Sequence, residues 1–231
     1  MTITLWDLCG AETDRRFSPY CWRTKLALHH KGLAYTTIPW RMIDKHVIGF
    51  SGQGKVPVIK DGETIVTDSW DIANYLEDTY PDRPSLFAGP GGRGTGRFVA
   101  DWAELALLAG IFPMIAVDLH SQMDAETQIY FRKTREKFLG RTLEAAQAER
   151  ETLMEQFRRG LIPLRRMLKF QNFISGETPA WHDYAAFSVF QWARCTSPLR
   201  LLAEDDPVYA WREHMLDLYD GLARQAMGYA V

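Results

Sequence analysis

The 231-residue chain is 46% hydrophobic and 24% charged, enough apolar material to bury a sizeable core in one or two domains. A net charge of -2 and a pI near 6.3 give no electrostatic footing for nucleic acid or an anionic membrane, so neither is expected as a partner. Residues 1–7 have no basic and apolar regions of a signal peptide, and no apolar run is read as approaching the roughly 20 residues of a spanning helix. Cys9, Cys21 and Cys195 share neither metal-ligand spacing nor a disulfide framework, which points to a reducing, cytoplasmic compartment.

The first 80 or so residues switch period repeatedly. Residues 2–8 read as a strand. Residues 19–31 read as a helix, with Pro19 at its first position and Gly32 past its end. A short strand follows at 34–39, then a loop with an uncertain short helix. Residues 56–60 and 64–67 pair through the Asp61-Gly62 turn, and Asp68 and Ser69 open a helix running to about Tyr80. This order suits a mixed sheet with helices on its faces. The Pro- and Gly-rich stretch that follows reads as a linker at 83–96, and it lacks the Gly-Lys-Ser/Thr ending of a phosphate cradle. From Arg97 the chain reads as all-helical. Phe98, Trp102, Leu105 and Ala109 recur at helical spacing, and Asp124 caps a long charged helix that passes Gly140. Residues 184–192 are apolar nearly all round, as in the middle of a bundle, and a last helix covers about 206–226.

Three short pieces carry the chemistry. In Phe17-Ser-Pro-Tyr-Cys-Trp-Arg-Thr-Lys25, Ser18 stands where a helix N-cap belongs. Lys55-Val-Pro-Val-Ile59 is a strand interrupted by proline. Asp68-Ser-Trp-Asp-Ile-Ala-Asn-Tyr-Leu76 is a cap with an acidic first turn. Taken singly, each has an ordinary structural reading.

In this order and spacing the three pieces resemble the glutathione site of the glutathione transferase family. The resemblance runs over essentially the whole chain and is nearest to the bacterial glutathione-dependent β-etherases. Tyr80-Pro-Asp-Arg-Pro84, Phe138-Leu-Gly140, Asp183-Tyr184 and Glu204-Asp-Asp-Pro207 also match. It implies a thioredoxin-like domain at 1–82 with a mixed four-stranded sheet, followed by an all-helical domain at 97–231. It implies glutathione as co-substrate, no metal, and a homodimer. Residue by residue it assigns Ser18 to the glutathione sulfur and Val56 to backbone pairing with the tripeptide. Pro57 matches a cis proline, Ser69 a ligand of the γ-glutamyl carboxylate, and Asp68 the acid facing its amino group. The glycine carboxylate needs a cation, for which Arg41, Lys45, His46 and Lys55 are candidates.

The physics of helix starts agrees with this assignment. A carboxylate favours unpaired helix N–H groups. A free thiol has a pKa of about 8.5. One hydrogen bond to a charged acceptor contributes about 1.5–3 kcal/mol and the helix dipole roughly 0.3–1 kcal/mol. Together they can lower the thiol by roughly one to three pH units. Candidate walls for an apolar aromatic electrophile are Phe17, Tyr20, Met42, Phe112, Ile115 and Trp192. Ser18-Pro-Tyr-Cys21 also resembles the glutaredoxin motif, but with serine in place of the nucleophilic cysteine. Arg15-Arg16 either favours a thiolate or points into solvent, and Ala180 leaves the cap three residues before Asp183 at best half made. His29, His30 and His120 have no partners at metal spacing. The functional expectation is a transferase acting on an apolar electrophile, with β-aryl ether cleavage as its narrower form. A non-catalytic glutathione or ligand-binding protein and a thiol transferase using Cys21 are the rivals.

Overall fold

A computed structural model describes residues 2–231. β1 (Ile3–Leu8), α1 (Pro19–His30) and β2 (Tyr35–Trp40) are followed by a 3-10 turn at Lys45–Ser51, the hairpin β3 (Val58–Asp61) and β4 (Thr64–Thr67), and α2 (Ser69–Thr79). The strands form one sheet in the order β2-β1-β3-β4, with β1 parallel to β2 and antiparallel to β3. Alternation divides the two faces. Ile3, Leu5 and Ile59 join Leu26 of α1 and Ile72 and Leu76 of α2 in the main core. Trp6, Trp40 and Val58 enclose Ile48 from the 3-10 turn on the other side. The first hairpin strand begins at Val58, two residues later than expected, because Pro57 has no N–H to give the ladder. The Val56–Pro57 bond is cis.

The helical part runs through α3 (Gly92–Trp102), a π-helical stretch at Ala103–Leu108, α4 (Ala109–Ile111), a 3-10 turn at Phe112–Ile115 and α5 (Ala116–Ser121). Then come α6 (Ala125–Leu139), α7 (Leu143–Ala148), α8 (Arg150–Gly160), α9 (Ile162–Met167), α10 (Trp181–Thr196) and α11 (Pro207–Gly221). Four expectations change. The end of the segment read as linker is already helix, since α3 begins at Gly92, whose backbone lies against Phe87. A Cβ there would stand 1.4 Å from the Phe87 carbonyl oxygen, so glycine serves close approach here rather than a break. The helix capped by Asp124 stops at Leu139, where Gly140 turns left-handed. The last helix, Pro207–Gly221, is broken before its end: Leu218, Tyr219 and Asp220 leave helical geometry, the last two at positive φ, and the Tyr219 hydroxyl bonds Tyr184 at 2.6 Å. Finally, the run Gly92–Ser121 contains an 18-residue stretch of mean hydropathy 1.7 and is long and apolar enough by composition to cross a membrane. Asp101 and Glu104 break it in the sequence, and its inner face, with Ala103, Leu107, Ile111 and Met114, is core.

α10 is the spine of the molecule. It is buried along nearly its whole length and packs on α1 and α3. Its start is fixed by Asp183, fully buried, which accepts the Ile174 N–H at 2.7 Å, the Ser175 N–H at 3.1 Å, the Ala180 N–H at 3.3 Å and the Trp211 indole N–H at 3.0 Å. Ala180 offers no acceptor in return, so only the aspartate half of the reciprocal cap is made. Burial pushes the Asp183 carboxyl up, against the pull of these donors. Asp183→Ala strands buried donors, each worth about 1–3 kcal/mol. Its thermal midpoint is expected to fall by about 6 °C or more for a chain of this length, measured by calorimetry, while a substitution at exposed Phe170 leaves the midpoint within about 2 °C.

Candidate active site

The site begins where β1 hands over to α1. The connecting loop is held by a bridge between Cys9 and Arg16 and by the Ala11 N–H on the Gln122 carbonyl at 2.8 Å. Gly10 lies so close to α5 that a Cβ would stand 2.4 Å from that same carbonyl oxygen. This contact seats the loop against the helical domain and delivers Phe17 and Ser18 to the seam between the two. Ser18 caps α1, with its Oγ accepting the Cys21 N–H at 3.3 Å, and Pro19 follows at the first helical position. The hydroxyl oxygen is used by the helix, and its proton remains free to donate. The positive end of the α1 dipole adds to the attraction for an anion at this point.

Ser18 opens into a cavity of about 640 Å³ between the domains. Leu8, Phe17, Tyr20 and Met42 line it from the sheet side, and Leu108, Phe112, Phe131, Phe138 and Trp192 from the helical side. Phe112 is the hub of the aromatic wall, with ring centroids 6.4 Å from Phe131, 6.3 Å from Phe138 and 6.5 Å from Trp192. Five of the six expected wall residues, Phe17, Tyr20, Met42, Phe112 and Trp192, do line the cavity. Ile115 does not. It is fully buried in the core. Burial pushes the Tyr20 hydroxyl up to about 12, and the nearby Glu104 and Asp68 carboxylates add to this.

The polar end of the cavity is formed by Lys55 and Val56. Pro57, Asp68 and Ser69 lie past the cavity lining, on the approach to β3 and at the start of α2. Asp68 caps α2, accepting the Trp70 N–H at 2.8 Å and the Asp71 N–H at 3.4 Å. It does so at φ 69°, a conformation that costs a non-glycine residue of order 1–3 kcal/mol. Such strain concentrates at ligand-holding positions. Ser69, at the first position of α2, is 2% exposed. Two of the candidate cations are engaged elsewhere. Arg41 grips Asp44 with bonds of 2.8 and 2.9 Å, and Lys45 lies over the Tyr130 ring at 5.3 Å. Lys55 is the candidate that faces the cavity.

Arg15 and Arg16 turn away from the cavity. Arg15 bonds Glu12 and the Cys195 carbonyl, and Arg16 approaches Asp7 at 3.7 Å. Cys21 is fully buried, with its sulfur 3.9 Å from the Trp6 carbonyl, and burial pushes the thiol well above its usual range. Among the described residues no group of three His, Cys, Asp or Glu is placed to hold a metal. Sequence reasoning missed Phe131, Thr134, Arg135 and Phe138, which line the cavity from α6. A stripe at spacings of three, four and seven along this helix was legible, but its charge content drew attention to its outer face.

The glutathione S-transferase N-terminal domain model matches residues 17–79, and the C-terminal domain model of the same family matches residues 96–206. The chain belongs to the glutathione S-transferase family. Among curated relatives it is 36% identical over 69 residues to glutathione S-transferase Z2 of Arabidopsis thaliana, covering 28% of this chain and 31% of that one. It is 25% identical over 122 residues to the stringent starvation protein A homolog of Pasteurella multocida, covering 52% of this chain and 55% of that one. The chain thus spans from about a third to about half the length of these two relatives. Among solved structures, the glutathione transferase GSTFuA3 of Phanerochaete chrysosporium superposes with a TM-score of 0.77 at 26% identity, covering 96% of this chain and 92% of that one. A glutathione S-transferase of Ceriporiopsis subvermispora, solved with glutathione, shares the fold with a TM-score of 0.77 at 22% identity, covering 98% of this chain and 95% of that one. The fold matches in both halves, a thioredoxin-like sheet domain followed by a helical domain.

Cys21 is fully buried and does not line the cavity. In the native protein it is expected to resist a thiol-labelling reagent, whereas denaturant should expose all three cysteines, as read by mass spectrometry.

Proposed function

We propose that this transferase binds glutathione across Ser18, Val56, Asp68 and Ser69 and directs its thiolate at an aromatic electrophile held in the interdomain cavity. The observation that carries this reading is the placement of Ser18, a helix cap with an unspent hydroxyl proton, at the mouth of a cavity of about 640 Å³ walled by aromatic rings. The Ser18 O–H and the α1 dipole favour the ionised sulfur. The backbone of Val56, which lies before the first hairpin strand and lines the cavity, accepts the extended tripeptide as an added strand. The strained turn at Asp68 and the N-terminus of α2 receive the γ-glutamyl end, and Lys55 receives the glycine carboxylate. Among the cavity-lining residues there is no His, Asp or Glu to act as a general acid. A substrate with a good leaving group fits such a site. In a β-aryl ether ketone the thiolate attacks the carbon bearing the aryloxy group, the new S–C bond forms as the C–O bond breaks, and the electron pair leaves with the phenolate. The cavity's part is to hold the reactants in line and stack both aryl rings.

Glutathione should bind at up to millimolar concentration in calorimetry, and Ser69→Ala should weaken it by about tenfold, the loss of one charge-assisted hydrogen bond. Phenol release from a fluorogenic β-aryl ether ketone should fall about tenfold or more in Ser18→Ala and stay near wild type in Cys21→Ala. Binding without turnover of this ketone or of a panel of electrophiles would leave a glutathione-dependent ligand-binding protein.

We propose a homodimer, which family membership and an exposed apolar face support. Phe98 in α3 and Leu105 in the π-helical stretch that continues it are 74% and 78% exposed. A twofold pair that buries this face explains why apolar residues sit there. Light scattering should return about twice the 26.5 kDa chain mass, and Phe98→Glu with Leu105→Glu should return one chain mass.

A further inference from the structure

The cavity holds one charge that the transferase reading leaves unused. Two cationic side chains line it, Lys55 and Arg135, and no carboxylate does. Lys55 stands beside Val56, on the glutathione side. Arg135 belongs to α6, on the opposite wall, between Phe131 and Phe138 in the helical stripe. Its guanidinium lies over the Phe131 ring at 5.3 Å, and its one hydrogen bond among the described residues goes to the Thr134 hydroxyl at 3.2 Å. One turn earlier, Arg132 is held by Glu136 and Glu144, so α6 does pair its arginines where nothing else is asked of them. Arg135 has no such partner. Burial presses its pKa downward, and only Tyr130 opposes the shift.

We propose that Arg135, with Thr134, is an anion-recognition subsite of the electrophile cavity, and that the protein selects aromatic electrophiles carrying a carboxylate or similar fixed negative charge. This rests on the reading of the cavity as the electrophile site. A guanidinium desolvated by apolar walls is costly while unpaired and gains most from a planar anion, which it can grip with two parallel bonds. Thr134, whose hydroxyl donates to the Tyr130 carbonyl at 2.9 Å and accepts from Arg135 at 3.2 Å, holds the guanidinium in place, and Phe131, Phe138 and Phe112 offer faces for the ring that bears the charge. The anion then points toward α6 and the reactive carbon is left near Ser18, so the same contact that selects the ligand also orients it.

The test uses two fluorescent probes with related ring systems, anionic 8-anilinonaphthalene-1-sulfonate and neutral N-phenyl-1-naphthylamine, each titrated with and without saturating glutathione. Wild type should prefer the anionic probe by about tenfold or more, and Arg135→Gln should abolish the preference while neutral-probe and glutathione affinities stay within about twofold. Thr134→Val should reduce the preference partway, and benzoate should displace the sulfonate probe from wild type but not from Arg135→Gln. Equal affinity of wild type for the two probes would overturn the proposal. So would a preference surviving in Arg135→Gln, or a loss confined to glutathione affinity, which would assign Arg135 to the tripeptide. Should Arg135→Gln fail to fold, Thr134→Val and benzoate competition decide. Because the probes do not react, anion preference without glutathione binding would refute the transferase reading and leave the subsite standing.

Discussion

The buried Asp183 carboxylate holds the molecule's architecture in place. It gathers two N–H groups from the loop before α10, the N–H of Ala180 and the indole of Trp211. A charge inside a protein is costly unless its lone pairs are satisfied, and here four donors satisfy them. The result is a single starting point and direction for α10. Everything packed on α10 inherits that direction, including α1, whose Arg23 Nε bonds the Ser188 hydroxyl at 3.2 Å. Ser18 at the head of α1 and Trp192 near the far end of α10 are therefore positioned by one rigid pair of helices, though they come from different domains.

The cavity is a product of that rigid pair and of the two segments that close it. The sheet domain supplies the polar chemistry at helix and strand ends, where backbone groups are unpaired. The helical domain supplies rings from α6, α10 and the 3-10 turn after α4. Phe112, Phe131 and Trp192 are buried and form the packed part of that wall, while Phe138 at its edge is exposed. A break in helical regularity adjoins the cavity, since the π-helical stretch ends at Leu108, one of the lining residues. Such irregularities recur where a helix serves a site.

The caps and strand break at the polar end of the cavity were legible in the sequence, because they are local. Ser18-Pro19, Val56-Pro57 and Asp68-Ser69 are caps and strand interruptions whose chemistry depends on near neighbours in the chain. The sheet domain's element order, the turn at Asp61-Gly62 and the half-made cap at Ala180 were legible for the same reason. The positive φ at Asp68 was not, since no residue type other than glycine announces it.

The electrophile end was decided by tertiary packing. Phe112 and Ile115 look equivalent as apolar residues on one helical run, yet Phe112 lines the cavity and Ile115 is closed into the core. Arg132 and Arg135 look equivalent as charges on one helix, yet one meets the Glu144 carboxylate of α7 and the other meets a ring and a hydroxyl but no carboxylate. The glycines at 91–96 look like a linker until Phe87 is seen lying against Gly92. In each case the sequence determined residue type and local propensity. Which neighbours a side chain meets depends on contacts tens of residues apart in the chain, and those exist only once α10 has set the angle between the two domains.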